Sequence, residues 1–100
     1  MSLYYNGLLK ALTLTYERGD GVSRLTCEIR LEDCRDRTKS TTLRFFGVQE
    51  MELREWRLGI SLVELSIVDI SDRQLEELRY EVYDEHEGII GFSARSFEVS

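Results

Sequence analysis

A mainly β, antiparallel fold is predicted for this chain of 100 residues, and three observations predict it. Apolar and polar residues alternate with a period of two over several short stretches, the signature of a strand with one buried and one wet face. Glycine, aspartate and serine clusters of hairpin length separate those stretches. The run Ile60-Ser61-Leu62-Val63-Glu64-Leu65-Ser66-Ile67-Val68-Asp69-Ile70 is nearly continuous in β-formers, as expected of a central strand covered on both faces. Together they predict an antiparallel meander of about seven strands, curled into a sandwich or half-open barrel because a sheet must bury its apolar face. One short helix is expected near residues 72–78. The alternative is an α+β arrangement with residues 3–11 helical.

The elements follow in chain order. Leu8, Leu12, Leu14 and Tyr16 share one parity and Thr13 and Thr15 the other, which predicts a strand over 8–17. Leu8, Ala11 and Leu12 also fit helical spacing, the basis of the alternative, but the threonine-rich end favours a strand. Arg18-Gly19-Asp20-Gly21 is a hairpin turn; its match to a short integrin-binding tripeptide is read as chance. In the second strand Leu25, Cys27, Ile29 and Leu31 alternate with Thr26, Glu28, Arg30 and Glu32. A polar loop over 34–40 leads to a third strand, with Leu43 and Phe45 inward and Thr42 and Arg44 outward. Gly47 marks a bulge or bend. Met51 and Leu53 alternate with glutamates in a fourth strand, and Gly59 breaks the chain again. After the central run, Ser71 and Gln74 form a capping box for the short helix. Tyr80–Asp84 is a sixth strand, Glu85-His86-Glu87-Gly88 a turn, and 89–99 a seventh strand.

No low-complexity linker or internal repeat divides the chain, so residues 1–100 are read as a single domain. Its 42% apolar and 32% charged residues suit a globular protein. No apolar run is long enough to span a membrane, and no basic stretch with an apolar core opens the sequence as a secretory signal. Proline is absent, so sheet edges must be guarded by charge. Cys27 and Cys34 flank most of one strand, a separation of roughly 23 Å, beyond disulfide reach. Two free thiols suit a reducing cytoplasm. Cys27 reads as a small buried hydrophobe and Cys34 as exposed.

Chemistry finds little support. The single histidine, His86, lies among acids in Asp84-Glu85-His86-Glu87, but neighbours on a strand point to opposite faces and cannot converge on a metal. Nothing places His86 beside either cysteine, as a thiolate nucleophile requires. The glycines are scattered, so no phosphate-binding loop forms. No metal, cofactor or catalytic residue is therefore assigned. Trp56, between Glu55 and Arg57, reads as a lid on the core rather than an interface anchor.

Charge is the one functional lead. Residues 1–63 carry ten Lys/Arg and nine Asp/Glu, a balance of +1; residues 64–87 carry two arginines and nine acids, a balance of −7; the remainder balance to zero. Such a segment can be a solvated edge that prevents aggregation or a docking surface for a basic protein. On the second reading the binding residues are Tyr80, Glu81, Tyr83, Asp84, Glu85 and Glu87, with the tyrosines as anchors. Nucleic acid is disfavoured as a partner, since phosphates need Lys/Arg.

The stretch Leu43-Arg44-Phe45-Phe46-Gly47-Val48, and the stretch from Ile67 through Gln74 followed by Tyr80–Asp84 and an aromatic final strand, resemble small β-rich bacterial proteins of unknown function. Some of those are grouped with immunity proteins of polymorphic toxin systems. The resemblance implies binding rather than catalysis, and carries over no catalytic residue. The expectation is thus a non-enzymatic, cytoplasmic protein-binding module of immunity type that masks a basic partner. A self-associating scaffold is the alternative, and a small carboxylate enzyme the reading least favoured.

Overall fold

The structure is a computed structural model that describes residues 2–17, 24–54, 62–70 and 79–100. These contain eight strands: β1 (Ser2–Tyr16), β2 (Leu25–Glu32), β3 (Ser40–Phe46), β4 (Gln49–Leu53), β5 (Leu62–Asp69), β6 (Tyr80–Asp84), β7 (Ile90–Ala94) and β8 (Ser96–Val99). All pairings are antiparallel, in one open sheet of order β4-β7-β6-β5-β1-β2-β3-β8. The β class is as expected, but the arrangement is not a simple meander, and the strands belong to one sheet rather than the two of a sandwich. The alternative with residues 3–11 helical is overturned, because that segment is paired strand throughout. The helix expected at 72–78, the turn at 18–21 and Trp56 lie outside the described residues.

β1 organises the sheet. Its first half, Ser2–Leu8, pairs with β5, and its second half, Leu8–Tyr16, pairs with β2. The register slips between Leu9 and Ala11, so Lys10 is the extra residue of a bulge, and the alternation of side chains inverts across it. Leu3, Tyr5 and Leu9 face the core before the bulge and Leu12 after it; Leu9 is fully buried. At the crossing point Gly7 lies against β2: a Cβ there would stand 2.6 Å from the Glu32 carbonyl oxygen.

The sheet wraps around its own apolar face. In a flat sheet with strands about 4.8 Å apart, β3 and β7 would be separated by about 24 Å. The Phe45 and Phe92 rings on these strands instead meet edge-to-face, centroids 4.9 Å apart, and Tyr80 on β6 meets Phe97 on β8 at 5.0 Å. Two short links enforce the curl. Gly47-Val48 joins β3 to β4, and Arg95 alone joins β7 to β8, so each carries the chain from one end of the sheet to the other. The links touch: the Arg95 N–H donates to the Phe46 carbonyl at 2.9 Å, and Gly47, at φ +63, leaves no room for a side chain against Arg95. The single final strand expected over 89–99 is therefore two, broken at Arg95. Inside the curl lie Cys27, Ile29, Leu31, Leu43, Phe45, Val63, Leu65, Ile67 and Val82, all buried. Truncating Phe45 there would cost about 3–5 kcal/mol.

Candidate functional site

Curling gives the sheet two distinct outer faces. On the half built from β1, β2, β3 and β8, Glu28, Arg44 and Glu98 stand side by side in register. Arg44 bridges both acids, at 2.9 Å to Glu28 and 3.1 Å to Glu98, and Arg30 pairs with Thr42 in the next row. This face is balanced in charge.

The other half differs. Two rows cross it: Tyr4–Ser66–Tyr83–Gly91–Glu52, and Val68–Glu81–Ser93–Gln49, with Asn6 beside Glu64 at one end. Among the described residues these rows hold glutamates and no lysine or arginine. A groove of about 280 Å³ is lined by Glu50, Glu52, Glu81, Tyr83, Gly91 and Ser93. Its floor is open at Gly91, where a Cβ would meet nothing within 4 Å.

A bulge in the edge strand brings β4's glutamates here. Gln49 pairs with Ser93, but Glu52, not Met51, pairs with Gly91. Without the extra residue Met51 would face water and Glu52 the core. Glu50 takes up the distortion at φ 55, in the left-handed region that non-glycine residues seldom adopt. Met51 packs against the core, and both neighbouring glutamates line the groove.

Beside the groove, Tyr4 is 64% and Tyr83 36% exposed. Between them in the row, Ser66 is fully buried, although alternation with Leu65 and Ile67 turns it to the outer side of the sheet. Its hydroxyl is the one buried side-chain oxygen or nitrogen without a hydrogen-bond partner among the described residues.

The residues expected to bind a partner divide into two groups. Glu81 and Tyr83 lie on the acidic face. The Tyr83 hydroxyl donates to Glu85 Oε1 at 3.3 Å, and Glu85 and Glu87 are exposed on the adjoining turn. Tyr80 and Asp84 stand away from that face. Tyr80 points to the opposite side of β6 and packs on Phe97. Asp84 is 4% exposed and its carboxylate accepts backbone N–H groups of Glu64 (3.0 Å), His86 (3.0 Å), Glu87 (3.2 Å) and Ile89 (3.1 Å). Burial pushes this carboxyl up, but the four donors outweigh it and hold it below the ordinary aspartate value. Asp84 therefore builds the turn that presents Glu85 and Glu87. Tyr4, Ser66, Glu50, Glu52 and Gly91 were not singled out by the sequence; they reach this face through sheet order and a bulge.

No described trio of His, Cys, Asp or Glu is grouped to hold a metal ion. Burial pushes the Cys27 thiol up to about 12, far from a reactive thiolate. Cys34 is exposed, and neither cysteine is in a disulfide. His86 is exposed on its turn, with Glu87 at 4.0 Å.

The family model described as immunity protein PIM8 matches residues 4–100. No curated protein and no solved structure matches the chain.

Proposed function

Since the chain belongs to the immunity protein PIM8 family, we propose that it neutralises a toxin by binding it, and that the surface it masks is basic. The observation that carries the second part is the one-sided charge of the sheet. Glu50, Glu52 and Glu81 line one groove on this outer face, whose two central rows hold no lysine or arginine, with Arg54 and Arg79 exposed just beyond them, while the acids of the other face are offset by Arg30 and Arg44. Complementary potentials steer encounter and select partners. The work is binding rather than catalysis, which accords with a thiol buried in the core and an acid committed to a turn.

The test is protection. Cells producing a toxin whose gene is found beside this chain's gene should grow when the chain is co-produced, and the two proteins should co-purify. Failure to protect, with both proteins soluble, would overturn the reading.

A further inference from the structure

We propose that the row Tyr4–Ser66–Tyr83–Gly91–Glu52 is the centre of the docking surface, and that it receives a lysine- or arginine-bearing segment of the toxin. This deepens the function proposed above and rests on it. The acidic segment of the sequence supplies only part of the surface; the rest comes from the start of β1 and from the β4 bulge.

Three features converge on the row. Tyr4 and Tyr83 are two of the large side chains left exposed, and tyrosines of this kind dominate interface energetics by offering area at little entropic cost. Between them the Ser66 hydroxyl is buried without a partner. Buried hydroxyls are nearly always hydrogen-bonded, so the row between the two tyrosines carries an unmet hydrogen bond in the free protein. Next to Tyr83, Glu50, Glu52 and Glu81 surround a groove whose floor is a glycine with open space above it. A basic side chain laid there meets carboxylates on several sides and the Tyr83 ring at its flank, combining charge-assisted hydrogen bonds with a cation–π contact. The opposite outer face offers no such excess of one sign, because Arg44 already spans Glu28 and Glu98. Charge complementarity therefore selects this face and a basic occupant.

Gly91 makes the proposal testable without disturbing the fold. Gly91→Arg fills the groove with bulk and positive charge, and the new Cβ meets no atom within 4 Å. Tyr83→Ala removes one anchor, and Thr13→Arg places the same charge on the other outer face. Circular dichroism and thermal melts establish that each variant is folded. The probe is the purified domain of the toxin against which the chain protects cells, with binding measured by calorimetry. Gly91→Arg and Tyr83→Ala should each weaken binding by about 30-fold or more, and Thr13→Arg by less than about threefold. If wild type binds tightly and both face variants bind equally well, the docking face is wrong while the immunity function stands. Should wild type itself fail to bind the toxin, the function falls, and this proposal with it.

Discussion

The carboxylate of Asp84 accepts the backbone N–H of Ile89 at 3.1 Å, closing the acidic turn from within. The same side chain ties that turn to β5 through the Glu64 N–H. An acid that composition alone assigns to the binding surface is thus part of the scaffold beneath it.

Asp84→Asn should destabilise the protein by about 2–3 kcal/mol at neutral pH, because an amide offers one acceptor oxygen where four N–H groups now converge on two charged ones. The folded-state pKa of Asp84 is lowered. Its contribution is therefore fully present above the unfolded value of about 3.9 and is lost as pH falls through the folded value. Urea titrations of wild type and variant across acid pH should show a stability gap that is widest near neutrality and narrows below about pH 4. A gap that widened with acid would contradict the assignment.

Gly7 and Gly91 should respond oppositely to a methyl group. Gly7→Ala drives a Cβ to 2.6 Å from the Glu32 carbonyl oxygen, where backbone cannot yield cheaply, and should cost about 1–3 kcal/mol. Gly91→Ala enters open space and should stay within about 0.5 kcal/mol of wild type. Thermal melts would separate them by several degrees, since about 1 kcal/mol moves the midpoint of a domain this size by about 4–8 °C. Equal melting temperatures would mean that β1 does not cross onto β2 as described.

The thiols should differ in reactivity. With its pKa pushed up to about 12, Cys27 is ionised in only about one molecule in 10⁴ at pH 8, and it is also fully buried. Cys34 is exposed. Mass spectrometry after brief alkylation should find one label, at Cys34. Labelling of Cys27 at a comparable rate in the folded protein would contradict its place in the core.

Strands with an unbroken period of two were legible. In β2 and β3 the inward set Cys27, Ile29, Leu31, Leu43 and Phe45 follows directly from alternation, and the turn at 85–88 follows from its acids and glycine. Bulges hid the rest. Lys10 inverts the face of β1, so that Leu9 rather than Leu8 is buried, and the resulting spacing of Leu9 and Leu12 imitates a helix. The extra residue in β4 likewise turns Glu52 outward beside a strand that follows it much later in the chain. Alternation cannot reveal a bulge, since the added residue is known only by what it opposes. Sheet order is equally non-local: nothing within Tyr4 or Tyr83 announces that Ser66 will stand between them. Exposure of Glu85 and Glu87 was a fair inference from charge, although Glu81 is half-buried. Burial of Asp84 was not, because a short acid before a glycine-containing turn serves as readily to cap the backbone as to face water.

The central claim is that one acidic face steers a basic toxin, and association kinetics test it most directly. Glu81→Lys combined with Glu85→Lys reverses charge beside Tyr83 and leaves Asp84 in place. Stopped-flow mixing with the purified toxin at low salt should show association slowed by about tenfold or more, with the difference from wild type largely gone near 1 M salt, where the screening length falls to about 3 Å. A double variant that associates as fast as wild type at low salt would contradict the account, leaving these acids as a solubilising edge.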